Sequence, residues 1–294
     1  LYDTSKKFSL RGNDVIPVLF LNTLFCSAIF LPLILLSQYT HVLDSSIFHV
    51  GAGGWEMHRW IILKSVIVLL SWVFGYFAIA QLPLTIVGPI NATRPVMTLV
   101  GAMLVFGERL NTWQWIGVSL AIISLFLLAR SGKREGIDFK HNKWIFFLVL
   151  AAMMGTCSGL LDKYLMASPE NGGVGLDRMM AQSWYNIYQC IMMGVVLLVY
   201  IFNQRKKAER TAHFSWKWSI LLISIFLSMA DFAYFYALSL PGAMISIVSM
   251  VRRGSVLVSF LCGALLFREK NLKAKAIDLC FVLLGMIFLW IGSR

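Results

Sequence analysis

The chain alternates long apolar runs with short polar breaks. Nine apolar runs can be read, at about 15–37, 59–82, 84–105, 112–130, 143–166, 179–203, 215–240, 242–266 and 274–293. A helix of roughly 20 such residues crosses a hydrocarbon core of about 30 Å. Tryptophans gather at the edges of the runs (Trp60, Trp113, Trp115, Trp144, Trp216, Trp218 and Trp290), where amphipathic rings anchor at headgroup level. The connections are short, and the tightest are at Leu82-Pro83 and Leu240-Pro241. The longest, Gln38 to His58 with Gly51-Ala52-Gly53-Gly54, predicts a flexible solvent loop. No stretch leaves room for a soluble domain.

Composition sharpens this pattern. Of the 294 residues 59% are hydrophobic and only 14% charged, and the mean hydropathy is +0.75. These values exclude an ordinary soluble domain and indicate an all-helical polytopic membrane protein. A net charge of +12 can signal a nucleic-acid partner. Here, however, the basic residues are scattered over short loops, which makes them orientation information and speaks against nucleic acid. The five cysteines (Cys26, Cys157, Cys190, Cys262 and Cys280) sit inside apolar runs without pairable or metal-type spacing. The five histidines fall in loops or at run ends with no Glu or Cys at metal spacing. There is no glycine-rich phosphate loop and no Ser/His/Asp arrangement. No catalytic residue, metal or cofactor is therefore expected.

Two runs break the apolar rule at their centres. Gly88-Pro89-Ile90-Asn91-Ala92-Thr93-Arg94-Pro95 lies in the middle of 84–105, and Ser246-Ile247-Val248-Ser249-Met250-Val251-Arg252-Arg253 in the middle of 242–266. An arginine at mid-bilayer costs roughly 2.5–3.5 kcal/mol on insertion scales. Each proline also frees a carbonyl that lipid does not satisfy. Such segments make sense only when they face a polar, wet cavity between helices.

The chain also repeats itself. Tyr76-Phe77-Ala78 leading to Leu82-Pro83 is answered by Tyr234-Phe235-Tyr236-Ala237 leading to Leu240-Pro241. Phe106-Gly107-Glu108-Arg109 is answered by Phe267-Arg268-Glu269-Lys270, and Leu1-Tyr2-Asp3 by Leu160-Leu161-Asp162. All three fall at one offset of about 160 residues, which marks an internal duplication. The halves are residues 1–137 and 138–294. The second copy has a full span leading to Asp162, so a first span is expected ahead of Leu1. That gives ten helices as two five-helix repeats, with nine full spans visible. An odd number per repeat makes the halves enter the membrane in opposite directions, the inverted arrangement of many secondary transporters. Basic residues agree, because one face, which includes the loops around 131–143 and 204–217, collects 17 of the 26. Only Arg59, Lys64, Arg109, Lys163, Arg178 and Arg294 fall on the opposite face. The heavier face is the cytoplasmic one, and the C-terminus is expected outside.

At these residues the chain resembles the EamA-type members of the drug/metabolite transporter superfamily. The resemblance rests on Leu82-Pro83 with its polar-centred helix, on Gly101-Ala102-Met103-Leu104-Val105-Phe106-Gly107-Glu108-Arg109-Leu110, and on Cys262-Gly263-Ala264-Leu265-Leu266-Phe267-Arg268-Glu269-Lys270. It implies a ten-helix secondary transporter of small metabolites such as amino acids, working by efflux or exchange in a bacterial inner membrane. It names no substrate. The shortened front departs from the family pattern, in which helices one and six help line the cavity.

Candidate residues follow from burial of charge. Arg94, Arg252 and Arg253 lie near mid-run and either face a solute or pair with the other buried charge, Asp231. Three cations against one acid favour a carboxylate-bearing or anionic solute, which guanidinium groups hold in a fork. Asn91, Thr93, Ser246 and Ser249 accompany them and bond either the solute or neighbouring helices. Trp72 with Tyr76, and Tyr234 with Asp231, share helix faces and supply either aromatic walls or packing. Asp3 and Asp162 occupy matched helix ends, as gate or proton-coupling acids or as solvated interfacial charges; Asp231 joins them as a coupling candidate. A secondary transporter by alternating access, coupled to a proton or solute gradient or working by exchange, is the first reading. A membrane scaffold without transport, or an intramembrane enzyme on lipid-linked substrates, is the alternative.

Overall fold

The computed structural model describes residues 1–106, 109–133, 139–206, 214–240, 248, 251–252, 254–267, 269 and 272–292. Among these the regular elements are α1 (Tyr2–Leu10), α2 (Val15–Tyr39), α3 (Trp55–Gln81), α4 (Leu84–Ala92), α5 (Arg94–Phe106) and α6 (Thr112–Lys133). They continue with α7 (Lys143–Met166), α8 (Arg178–Lys206), α9 (Trp218–Leu238), α10 (Ser255–Leu265) and α11 (Leu272–Gly292). Seven of them, α2, α3, α6, α7, α8, α9 and α11, are long and apolar enough to cross a membrane. Large apolar side chains such as Phe126, Ile122, Phe202 and Leu198 are exposed on their outward faces, the surface that lipid covers.

The run 84–105 was expected as one span, but it forms two helices that meet at Thr93. Pro95 has no N–H for the Asn91 carbonyl, and its ring crowds that carbonyl. Pro89 does the same to Thr85 one turn earlier. Helix α4 therefore ends at Ala92 and α5 restarts at Arg94. Of the run 242–266, residues 248, 251–252 and 254–266 are described, and α10 is shorter than a span.

Partner helices cross in a regular scheme. Helix α6 lies antiparallel to α11: Asn111 Nδ2 donates to the Gly292 carbonyl at 2.6 Å and Ser124 Oγ to the Asp278 carbonyl at 2.7 Å. Between these contacts a Cβ on Gly117 would stand 2.8 Å from the Gly285 carbonyl oxygen. Only glycine allows that approach. Helix α2 lies antiparallel to α8 (Ser27 Oγ to the Asn186 carbonyl, 2.8 Å), and α3 to α7 (Ser71 Oγ to the Ala151 carbonyl, 2.8 Å). Helix α1 packs on α9 through Ser9 and Ser219, 2.6 Å apart, and α4 on α10.

Several basic residues expected in loops are inside the bundle. Lys6, Lys64 and Lys275 are buried, and Lys7 donates to the carbonyls of Ile79 at 2.8 Å and Leu82 at 2.6 Å. Each finds oxygen close by, which is what makes a buried ammonium tolerable. Asp278, in the first turns of α11, is also buried. The 40–54 connection is largely exposed, as expected of a solvent loop, and is tied to the bundle at Val50, which is buried and whose N–H donates to Ser37 Oγ at 3.0 Å.

Candidate functional site

Helical spacing brings the polar side chains to one place. On α3, Lys64, Val68, Ser71 and Trp72 share a face. They meet Arg94 and Thr98 of α5, Gly155, Ser158 and Asp162 of α7, Tyr185 of α8, and Asp231, Tyr234 and Phe235 of α9, with Arg252 closing the ring. The space they enclose is about 100 Å³. A second hollow of about 200 Å³, lined among others by Tyr2, Asp3, Lys6 and Asn91, adjoins it. Ser71, Trp72, Arg94 and Arg252 border both hollows and stand between them.

Most of the charge in this region is paired. Lys64 bonds Asp162, and Arg252 bonds Asp231. Lys6 lies 3.8 Å from Asp3. Hydroxyls complete two of the carboxylates: Tyr234 donates to Asp162 Oδ2 at 3.3 Å and Tyr185 to Asp231. The Arg252 guanidinium also lies over the Tyr234 ring, 4.7 Å from its centre. Buried ion pairs offset their desolvation only when further hydrogen bonds reach the remaining lone pairs, and the two tyrosines supply one such bond to each carboxylate.

Arg94 differs. Its Nη2 donates to the Ala151 carbonyl at 3.2 Å, and its Nε has no hydrogen-bond partner among the described residues. Gly155 makes room for it, since a Cβ there would stand 2.5 Å from Nη1. Among the described residues around the first hollow, Lys64, Arg94 and Arg252 face Asp162 and Asp231, which leaves one positive charge in excess. It belongs to Arg94.

The predicted residues divide accordingly. Arg94, Arg252, Asp231, Asp162, Trp72 and Tyr234 come together at the first hollow, and Asn91 and Asp3 line the second. Thr93 and Tyr76 line neither. The Thr93 hydroxyl bonds the Ile90 carbonyl at 2.7 Å, and Tyr76 is fully buried with Lys6 Nζ 4.4 Å above its ring. Arg253, Ser246 and Ser249 lie outside the described residues. The expected excess of three cations over one acid is corrected by Lys64, Lys6, Asp162 and Asp3, all of which turn inward. Lys64 and Tyr185 were missed by sequence reading. The signal for Lys64 was present, because it shares a helix face with Ser71 and Trp72 rather than standing at the run's edge. Among the described residues, no group of three or more His, Cys, Asp or Glu stands together as a metal site.

Fold and hollow together define a helical integral membrane protein with a charged interior. A family model described as the EamA-like transporter family matches residues 2–130, and the EamA-type resemblance read from the sequence is borne out by it. This match supports a membrane transporter of small solutes in a lipid environment. No curated protein matches the chain. A solved structure titled only "Crystal structure of protein" aligns over 100% of this chain and 94% of its own, with a TM-score of 0.67 at 11% identity. That is a likeness of fold alone.

Proposed function

We propose that the protein is a secondary transporter of small organic metabolites bearing a carboxylate, and that the Arg94 guanidinium receives that group. The observation that carries this reading is Arg94, the one cation at the first hollow among the described residues that is bonded to no carboxylate, beside the aromatic walls Trp72, Tyr234 and Phe235. An arginine inside a bundle without a carboxylate partner is costly, and an anionic ligand removes that cost while it is bound. The paired charges have a second role in this reading. Asp162 and Asp231 hold Lys64 and Arg252 until a solute with charges of its own competes for them, and Asp3 does the same for Lys6 in the second hollow. Any proton coupling falls to these acids.

Alternating access follows from the helix pairing. Residues 1–137 and 138–294 act as the two halves, related by a pseudo-two-fold axis in the membrane plane. Matched helices support this, since α2 crosses α8 and α6 crosses α11. The antiparallel Asn111–Gly292 and Ser124–Asp278 contacts fit such an axis rather than one along the membrane normal. The exchanged pairs α1 with α9 and α3 with α7 obey the same symmetry. The resemblance alone puts the chain in a bacterial inner membrane. Proteoliposomes screened with amino acids and organic anions, with and without a pH gradient, test the reading. Uptake of a carboxylate-bearing solute is expected, and uptake confined to neutral or cationic solutes overturns it.

A further inference from the structure

A second polar region lies beside the hollow, between α2, α8 and α9. Asn22, Gln182, Ser183 and Gln189 are fully buried there. Some of their polar atoms find protein partners: Gln182 Nε2 donates to the Ser228 carbonyl at 3.1 Å, and Ser224 Oγ to Asn22 Oδ1 at 3.0 Å. Others find none, namely Asn22 Nδ2, Gln182 Oε1, Ser183 Oγ and both Gln189 side-chain atoms. Native interiors seldom strand so many polar atoms together.

Their spacing makes them a line. On α9, Ser224, Ser228 and Asp231 are one turn apart; on α8, Gln182, Asn186 and Gln189 repeat the step. Helix α2 contributes Asn22 and Cys26, which lies 3.9 Å from Asn22 Oδ1. The line begins at the Tyr185–Asp231–Arg252 cluster and runs toward the end of the bundle where α2 and α9 start. There Leu19, Met193 and Ile220, all fully buried, close it.

We propose that this seam is a water site: a file of bound waters held by Asn22, Gln182 and Gln189 that reaches Asp231 from a side the solute does not use. The orphaned atoms decide the class of ligand. A metal cation satisfies acceptors only, whereas the stranded set holds donors, Asn22 Nδ2 and Gln189 Nε2, alongside acceptors, Gln182 Oε1 and Gln189 Oε1. Water satisfies both. The inference does not depend on the transported solute, so it stands or falls separately from the transport reading.

Hydroxyl-radical footprinting by millisecond X-ray radiolysis, on the full chain in phosphatidylethanolamine–phosphatidylglycerol vesicles, tests it. Radicals form where water is bound, so buried sulfurs next to water oxidise and dry ones do not. Cys26 and Met180 are both sealed from bulk solvent, at 1% exposure each, but only Cys26 touches the seam, since Met180 packs beside Gly53. Oxidation of Cys26 about ten-fold faster than Met180 is expected from bound water at the seam. Equal protection of the two sulfurs overturns the proposal. A rate at Cys26 that falls when sodium chloride replaces choline chloride also overturns it, in favour of a cation. In the double variant Asn22→Leu with Gln189→Leu, Cys26 should become as protected as Met180. Persistent oxidation there takes the water away from these side chains, and the wild-type comparison decides the matter alone if the variant does not fold.

Discussion

Arg94 lies against Gly155 and donates to the Ala151 carbonyl at 3.2 Å, bonded to neither Asp162 nor Asp231. Asp231 is taken by Arg252 and Asp162 by Lys64. Replacing Gly155 by alanine puts a Cβ 2.5 Å from Nη1 and 2.9 Å from Cζ, which forces the guanidinium aside. Alanine is the better helix former by about 1 kcal/mol, so the thermal midpoint should hold or rise. Transport should fall by about ten-fold, equivalent to about 1.4 kcal/mol of lost solute contact. Full transport by Gly155→Ala would show that the position of Arg94 is unimportant.

The Lys64–Asp162 pair makes a test of coupling within the hollow. Lys64→Met alone leaves a buried carboxylate without its cation and should cost about 3–5 kcal/mol. Lys64→Met with Asp162→Leu should cost less than that single change. Unfolding in mixed micelles titrated with sodium dodecyl sulfate measures both. Strictly additive losses would mean the two side chains do not act as a pair.

Glu269 holds the start of α4. Its carboxylate accepts from the Leu84 N–H at 2.7 Å, the Thr85 N–H at 2.8 Å and the Thr85 hydroxyl, and Lys275 Nζ donates to that hydroxyl at 2.9 Å. An acid at a helix N-terminus gains from both the free N–H groups and the dipole. Glu269→Gln should lower stability by about 1–2 kcal/mol and speed amide exchange at Leu84 and Thr85. Unaltered exchange at those amides contradicts this capping role.

Gly117 and Gly285 let α6 and α11 touch backbone to backbone. Gly117→Val drives a side chain into the Gly285 carbonyl and the Leu289 side chain, and overpacking of this kind costs about 1–3 kcal/mol. The thermal midpoint of the purified protein in nanodiscs checks it, and a wild-type midpoint would mean that the two helices separate freely.

Much of this was visible in the chain before any coordinates. Apolar runs and edge tryptophans mark the seven long helices α2, α3, α6, α7, α8, α9 and α11, because a bilayer favours one long helix per run. Arg94, Arg252 and Asp231 stood out because charge inside an apolar run has no bland explanation. Lys6 and Lys275 did not, since a lysine near the end of a run reads as an interfacial charge until an acceptor from another helix is known, and Lys64 was passed over although its helix face carries Ser71 and Trp72. Asp162, paired to Lys64 across 98 residues, was flagged without its partner for the same reason. The break at Thr93 was written in Pro89 and Pro95, but run length outweighed it. The polar line of Asn22, Gln182 and Gln189 had no such signal, as single amides in membrane helices usually bond a neighbouring helix.

Paired uptake assays in proteoliposomes bear most directly on the central claim that Arg94 receives a carboxylate. For a solute found in the screen, wild-type protein is expected to transport the free acid and to reject its primary amide. Arg94→Ala should lose the acid, and Arg94→Lys should recover only part of the rate. Wild-type uptake of the amide at the rate of the acid, or undiminished uptake of the acid by folded Arg94→Ala, contradicts the account.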